Sequence, residues 1–390
     1  MDQMNFHDYP HQQEAIGQLN DMYDGTLPAM LAVQTFRNIH RLFPVRRVTA
    51  SPQPKRLPTA SYALPEIVFV SRQRQWTLED YLHENRVTGL LVLQNGKIVK
   101  EHYGQGNTDQ TRWMSMSVAK SITSTLAGVA LKEGKIGSLD DQVIRYLPAL
   151  QGTGYDGVSL RQVLTMSSGV RWNETYTDAT SDRRAMLTRQ LGQQAGSILQ
   201  YMGTLPRQAR PGSVTNYNTG ETQILGAIVE AATGQHLADY LCEHIWQPYG
   251  MADDASWWLD SPEGAEIGGS GFSATLRDYG RFGLYCLENG CINGQETLPV
   301  GWMQEAGGPR VQMPGRGPYG YMWWGPRTPQ STAQQAYLGK GIFGQYLYIN
   351  PTANLVIVVW SARAKPVESE VIDDGDFFEA VVKACPPHGD

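Results

Sequence analysis

Residues 114–121 read "MSMSVAKS", which places Ser117 three positions before Lys120 at the head of a small, apolar segment. Apolar residues recur at helical spacing through this segment, so a helix is predicted over residues 117–132. Residues three apart on a helix are neighbours on one face, which sets the lysine amine beside the serine hydroxyl. The pair is either an activated nucleophile with its base, or a helix-capping serine followed by a lysine that reaches solvent.

The residues that follow the serine favour the first alternative. The stretch "VAKSITSTLAGVAL" is small and apolar, which predicts a central, buried helix. Lysine is seldom buried unless it is paired or functional. Burial would lower the pKa of Lys120 far enough for its amine to accept the Ser117 proton. The free N–H groups of the first helical turn would favour negative charge developing there.

The wider pattern predicts strands, a helical middle and strands again. Residues 88–104, "TGLLVLQNGKIVKEHYG", are two β-rich runs around Asn95–Gly96, a pair suited to a type I′ hairpin turn. Strands from both ends of the chain are expected to share a sheet. We therefore expect an irregular N-terminal arm over residues 1–75, a sheet domain over 76–135 and 250–390, and a helical lobe over 136–249.

Composition excludes several classes of function. The 390 residues are 41% hydrophobic and 18% charged. The net charge of −6 does not favour binding to nucleic acid or to an anionic membrane. No apolar run is long enough for a transmembrane helix, and the N-terminus does not read as a signal peptide, so the cytoplasm is the expected compartment. The four cysteines and eight histidines lack metal-site spacing, so no metal or organic cofactor is expected.

Two further segments offer groups that the serine would need. Tyr217 stands in the loop "PGSVTNYNTG" ahead of an apolar helix, where its hydroxyl could act as a second base and then as an acid for a leaving group. Alternatively, it packs under the loop. The stretch "YLGKGIFGQYLYINP" has glycines at 339, 341 and 344, which permit close approach of backbone to a ligand. A strand edge there could supply one N–H of an oxyanion hole, with Ser117 supplying the other.

Taken together, these segments resemble the serine β-lactamase and penicillin-binding-protein superfamily. The similarity is to its class C-like branch, which includes 6-aminohexanoate-dimer (nylon-oligomer) hydrolases and family VIII esterases. It covers most of the chain from about Gly89 onward, and its most specific motifs are "MSMSVAKS", "LTMSSGV" and "YNTGETQILG". The resemblance implies an α+β fold, in which an antiparallel sheet flanked by helices carries an inserted, mostly helical lobe.

The resemblance also implies roles for individual residues. Ser117 would be the acylated nucleophile and Lys120 its base. Tyr217 would pass the proton to the leaving group and activate the deacylating water. The backbone N–H groups of Ser117 and Ile342 would form the oxyanion hole.

Two motifs depart from the family pattern. The lactamase motif Tyr-x-Asn is Tyr217-Asn218-Thr219 here, and the usual Lys-Thr-Gly or His-Thr-Gly box is Gly339-Lys340-Gly341. In a strand, a shift of one residue turns a side chain to the opposite face. The cation that would hold the carboxylate of a β-lactam or a peptide terminus is therefore expected to be missing from the pocket.

These departures favour the esterase and nylon-oligomer branch. The loop "RWNETYTDATSDRR" corresponds to one that supplies substrate contacts in that branch, and Tyr176 and Asp182 (or Asp178) are the candidates here. Gln345 is a third candidate for the cleft. Trp323 and Trp324 are expected in the core rather than the site.

The sequence thus predicts a serine hydrolase that cleaves small linear esters and amides, acting as a monomer or homodimer with no nucleic-acid or membrane partner. The alternatives are a β-lactamase or penicillin-binding-protein-like peptidase, and a non-catalytic member of the fold. The intact Ser117, Lys120 and Tyr217 set counts against the last of these.

Overall fold

A five-stranded antiparallel sheet forms the centre of the molecule, which a computed structural model describes over residues 9–385. Its strand order is β13 (Tyr337–Gly341), β14 (Gln345–Asn350), β15 (Leu355–Ser361), β4 (Val87–Gln94) and β5 (Lys97–Tyr103). Strands from the two ends of the chain meet where β15 pairs with β4, with Val359 opposite Leu90. The expected sheet built from both ends of the chain is confirmed.

The hairpin β4–β5 turns at Asn95 and Gly96, and the backbone φ angles there are 53° and 73°. Positive φ at both turn residues is what a type I′ turn requires, and asparagine and glycine adopt it at little cost. The predicted hairpin is therefore confirmed.

Nearly every residue of the central strands is buried, because helices cover both faces of the sheet. Leu91 and Val358 belong to one hydrophobic cluster, and the alternate residues Leu90 and Val359 belong to another. The first face packs against α12 (Leu276–Leu287) and α4 (Val118–Lys132). The second packs against α3 (Leu78–Glu84) and α15 (Asp374–Ala384).

A second sheet has four strands, and its strand β6 (Arg112–Met114) precedes α4 in the chain. The strand order is β1 (Val45–Val48), β7 (Ala255–Trp258), β8 (Phe272–Thr275) and β6. Three two-stranded ribbons complete the strands: β2 (Val68–Ser71) with β3 (Arg74–Thr77), β9 (Cys291–Ile292) with β10 (Gln295–Glu296), and β11 (Val311–Met313) with β12 (Gly317–Tyr319).

The remaining helices lie mostly between the two strand-rich parts. They are α1 (Leu19–Asp24), α2 (Ala29–Phe36), α5 (Val143–Tyr146), α6 (Leu160–Leu164), α7 (Asp182–Leu191), α8 (Ser197–Thr204), α9 (Thr219–Thr233), α10 (Leu237–Leu241), α11 (Gln247–Tyr249), α13 (Trp302–Gly307) and α14 (Pro329–Ala333). Short 3₁₀ segments span Ile39–Arg41 and Pro148–Leu150, and Cys242–Trp246 is a π-helical turn. Helices α5 to α11 fall within the segment predicted as a helical lobe, although the domain boundaries themselves stay predictions. No helix within residues 9–385 is both long enough and apolar enough to cross a membrane.

One local expectation was wrong. The N-terminal arm is not wholly irregular, since it contributes α1, α2 and strand β1, and it buries Phe36 and Phe43 in the main core. The segment "GYMWWG", at 320–325, has carbonyl groups that accept hydrogen bonds from serines on α4, for example from Ser124 Oγ to the Tyr321 oxygen at 2.6 Å.

Helix α4 runs through the middle of the protein, as predicted, and residues 118–130 are all buried. Its buried hydroxyls are satisfied by neighbouring backbone, as where Thr123 Oγ1 donates to the Gly268 oxygen at 2.7 Å. Small residues let large neighbours approach closely: a Cβ added to Gly128 would lie 2.6 Å from the Trp302 ring. The helix is thereby fixed along its length, and so is the residue that precedes it.

Candidate active site

Ser117 stands at the junction between β6 and α4. The preceding Met116 has a φ of 43°, in the left-handed region that non-glycine residues rarely adopt, and Ser117 itself returns to φ −71° as the N-cap of the helix. Backbone strain of this kind persists where the surrounding structure enforces it, and it is concentrated at functional sites. The Ser117 hydroxyl does not cap the helix, which leaves it available for another partner.

That partner is Lys120. Its Nζ donates to Ser117 Oγ at 2.9 Å and to the Gly269 backbone oxygen at 3.0 Å. The lysine is 1% exposed, and this burial lowers the pKa of its amine from an ordinary 10.5 to about 7. The nearby Glu174 carboxylate raises the Lys120 pKa in part, while the Arg183 and Arg316 cations lower it further. Burial thus makes the neutral form of the amine, which a general base requires, accessible near neutral pH.

Tyr217 faces the same pair from the turn before α9. Its ring stacks on Trp324 with centroids 5.5 Å apart, meets Tyr319 edge-on at 6.0 Å, and lies 5.3 Å from Lys120 Nζ. Burial raises the pKa of the Tyr217 hydroxyl well above its ordinary value, and the charge of Glu174 adds to this, while a hydrogen bond with Ser117 acts in the opposite direction. The phenol therefore holds its proton at neutral pH and can act as an acid.

The glycine-rich strand end lies against the nucleophile turn. A Cβ added to Gly341 would fall 2.5 Å from the Ser115 backbone oxygen, so only glycine lets β13 approach so closely. Ile342 follows and, with Ser117 and Tyr217, lines a cavity of about 780 Å³. The expected oxyanion donors, the N–H groups of Ser117 and Ile342, thus border one cavity, and their role stays a prediction.

Comparison with known proteins agrees with this geometry. The family model described as Beta-lactamase matches residues 77–380. The chain belongs to the Beta-lactamase family. A 6-aminohexanoate-dimer hydrolase from Paenarthrobacter ureafaciens is 32% identical over 305 residues, which are 74% of this chain and 76% of that protein.

Solved structures extend the similarity. A Bacillus anthracis protein provisionally named 6-aminohexanoate-dimer hydrolase is 26% identical, with a TM-score of 0.79 over 95% of this chain and 97% of that one. A family VIII carboxylesterase, at 15% identity, has a TM-score of 0.57 over 76% of this chain and 91% of its own, which shows the fold alone. Membership of the Beta-lactamase family implies serine hydrolase activity, and the α+β fold predicted from the sequence is confirmed.

The departure from the family's third box has a structural basis. Gly339 faces α4, since a Cβ added there would lie 3.1 Å from Ser121 Oγ. Lys340 is exposed on the opposite face of β13, with its Nζ 5.6 Å from the Tyr346 ring centre. The strand alternation used in the prediction holds, because Lys340 does not share a strand face with the glycines beside Ser117. Lys340 nevertheless lines the same 780 Å³ cavity as Ser117, so the expectation that the pocket lacks this cation is not met.

The departure at Thr219 involves a residue that the sequence analysis did not single out. Thr219 Oγ1 donates to Glu174 Oε1 at 2.5 Å and its backbone N–H to Oε2 at 3.0 Å, while Trp172 Nε1 donates to Oε2 at 2.5 Å. The Glu174 carboxylate is thus buried, fully engaged and close enough to affect the pKa values of both Lys120 and Tyr217. Nothing local in the sequence pairs Glu174 with Thr219, which lies in another segment.

The other candidates have different surroundings. Tyr176 is buried and lines the cavity with Tyr217. Asp182 begins α7 and is not among the cavity-lining residues, because its carboxylate accepts hydrogen bonds from Arg171, the Asn173 N–H and Tyr201. Asp178 closes its own turn, accepting from Thr180.

Gln345 does not line the cleft either. Its Oε1 accepts from Trp113 Nε1 at 2.9 Å, and its Nε2 donates to the Ser361 oxygen at 2.8 Å and the Ile342 oxygen at 3.4 Å. It therefore supports the turn that carries Ile342. Trp323 is in the core as expected, whereas Trp324 lines the cavity and stacks on Tyr217, contrary to expectation.

One group within residues 9–385 has the composition of a metal site: Glu230, His236 and Glu266 offer ligand atoms within 4.8 Å of one another. Most of these side chains have protein partners. Glu266 Oε1 accepts from Arg46 at 2.6 Å and from the Ala238 N–H at 3.0 Å, and His236 pairs with Glu230, whereas Glu266 Oε2 is buried without a hydrogen-bond partner. We assign the group no metal.

Proposed function

We propose that Ser117 is the nucleophile of an acyl-enzyme mechanism and that the substrates are small linear esters and amides of the 6-aminohexanoate-dimer type. The observation that carries the assignment is the 2.9 Å contact from Lys120 Nζ to Ser117 Oγ, made by a buried amine whose pKa is about 7. A serine hydroxyl needs a base within this reach to become nucleophilic near neutral pH.

In the first half of the reaction, neutral Lys120 accepts the Ser117 proton as Oγ attacks the substrate carbonyl. The negative charge that develops on the carbonyl oxygen is stabilised by the N–H groups of Ser117 and Ile342. Tyr217 then gives its proton to the leaving oxygen or nitrogen and regains one from the Lys120 ammonium. Because the Tyr217 pKa is raised, the phenol is protonated when the leaving group needs a proton.

In the second half, water attacks the Ser117 ester. Tyr217 and Lys120 together accept a proton from that water, and Ser117 Oγ leaves with a proton returned by the same pair. Amide cleavage depends on Tyr217 more than ester cleavage does, since an amine leaves only after protonation whereas an activated alkoxide does not need it.

The linear 6-aminohexanoate dimer fits this proposal because the relative from Paenarthrobacter ureafaciens is named for its hydrolysis. The glycine at position 339, where the family's box usually has a cation, argues against β-lactams as the main substrates.

The test is parallel incubation with p-nitrophenyl acetate, nitrocefin and the linear 6-aminohexanoate dimer, with product release followed and intact mass measured after quenching. We expect turnover of the ester and the dimer, a Ser117-linked acyl adduct, and little nitrocefin hydrolysis. Ser117→Ala is the control and should show neither turnover nor adduct. Full activity of Ser117→Ala would overturn the mechanism, and rapid nitrocefin hydrolysis would overturn the specificity.

A further inference from the structure

Arg316 lies at the mouth of the candidate active site, in the turn between β11 and β12. Gly315 and Gly317 flank it with φ angles of 68° and 103°, so the hairpin turns sharply here and directs Arg316 inward. Its guanidinium carbon is 5.1 Å from the centre of the Tyr217 ring. Arg316 lines both the 780 Å³ cavity and an adjoining one of about 740 Å³. The cation therefore borders the space that a substrate would occupy.

Among the residues that the structure describes, Arg316 has no anionic partner, a property that it shares with Arg327 in the same cavity wall. Within residues 9–385, none of the ion pairs involves its guanidinium. Arg310, on the same hairpin, pairs with Glu305 at 3.5 Å, and Arg363 in the cavity wall pairs with Asp374 at 2.5 Å. Arg316 is only partly exposed, so its charge is incompletely hydrated and would gain from a carboxylate ligand.

The backbone of this turn is held in place. Arg327 donates through its guanidinium to the Arg316 backbone oxygen, and Thr215 Oγ1 donates to the Gln312 oxygen at 2.7 Å. The second contact ties the hairpin to the segment that leads into Tyr217. The backbone that carries Arg316 is thereby held relative to Tyr217, which keeps the cation within reach of the leaving group that Tyr217 would protonate.

We propose that Arg316 is a carboxylate-binding residue that selects amides and esters whose leaving group carries a free carboxylate. This inference rests on the proposed function, because the role of Tyr217 defines the leaving-group side. Guanidinium and carboxylate form paired, charge-assisted hydrogen bonds, which gives the contact direction as well as affinity. Carboxylate side chains at the rim, such as Glu368, would repel the substrate carboxylate, whereas Arg316 is a cavity-lining cation that lies directly over the Tyr217 ring.

The experiment measures binding rather than turnover. The Ser117→Ala protein is titrated calorimetrically with the linear 6-aminohexanoate dimer and with its C-terminal carboxamide, which differs only in lacking the negative charge. We expect the acid to bind more tightly than the carboxamide. Adding Arg316→Gln should reduce that preference by about 10- to 100-fold, the usual range for a charge-assisted hydrogen bond. The matched control, Arg310→Gln, removes the same charge from the same hairpin outside the cavity and should leave the preference unchanged.

Two results would overturn the proposal. The first is equal binding of the acid and the carboxamide, which includes no binding of either. The second is a preference for the acid that persists in the Arg316→Gln variant. Arg316→Lys should retain part of the preference, and higher salt should weaken it. Thermal melting checks that each variant is folded. The proposed function is judged separately, by Ser117-dependent hydrolysis of neutral p-nitrophenyl acetate, so its failure is distinguishable from failure of the Arg316 assignment.

Discussion

Replacing Lys120 with methionine is expected to abolish catalysis and to stabilise the fold at neutral pH. Methionine has a similar volume and carries no charge, so it fills the site without the cost of burying an amine. The folded protein holds the Lys120 pKa at about 7, whereas the unfolded chain has the ordinary 10.5. Between these values the unfolded state binds a proton that the folded state does not, so stability rises with pH across that window.

The magnitude follows from the same two pKa values. The penalty of keeping Lys120 uncharged in the fold is about 4 kcal/mol at pH 7 and about 2 kcal/mol at pH 9. Methionine also forfeits the hydrogen bonds to Ser117 and Gly269, each contributing about 1 kcal/mol. Lys120→Met should therefore be about 2 kcal/mol more stable than the parent protein at pH 7 and about equal to it at pH 9.

Urea unfolding at the two pH values measures this directly, and the difference between parent and variant cancels every other titrating group. Lys132→Met is the control, because it makes the same substitution on the exposed last turn of the same helix, outside the buried site. A parent-to-variant difference that stays constant between pH 7 and pH 9 would refute the claim that the fold holds Lys120 neutral. The base assigned to Ser117 would then have to be sought elsewhere.

Three further predictions concern rates. In p-nitrophenyl acetate hydrolysis, kcat/KM should fall as the pH drops through about 7, where Lys120 gains its proton. Glu174→Gln should move that midpoint to lower pH, because the carboxylate raises the Lys120 pKa; an unmoved midpoint in the pH–rate profile would contradict this. Gly341→Ala should lower kcat by about 10²- to 10³-fold, since its Cβ would press on the Ser115 oxygen and displace the Ile342 N–H. Gly339→Ala is the matched comparison, because a Cβ added there would lie no closer than 3.1 Å to neighbouring atoms. Equal single-turnover rates for the two variants would argue against an oxyanion role for the Ile342 N–H.

The features that the sequence predicted correctly depend on short-range patterns. The β4–β5 hairpin follows from Asn95–Gly96, because only a few residue pairs accept two consecutive positive φ angles. Helix α4 and the proximity of Ser117 to Lys120 follow from helical periodicity and an i, i+3 spacing. The orientation of Lys340 follows from strand alternation in β13.

The features that it missed depend on partners far away in the chain. Asp182 and Gln345 look like free polar side chains in a loop and a strand, yet each is held by hydrogen bonds from other segments. The N-terminal arm forms β1 because β7, far along the chain, offers a pairing edge. The strand propensity of a short stretch of sequence does not show whether a strand far along the chain has an unpaired edge.

The sequence by itself therefore determined that Ser117 and Lys120 are neighbours, because a helix fixes residues three apart whatever surrounds it. Only the tertiary structure decided how those groups behave. The Lys120 pKa is set by burial and by the charges of Glu174, Arg183 and Arg316, all from distant segments. Electrostatic effects depend on distance through space and on exclusion of water, and neither quantity is defined until the chain has folded.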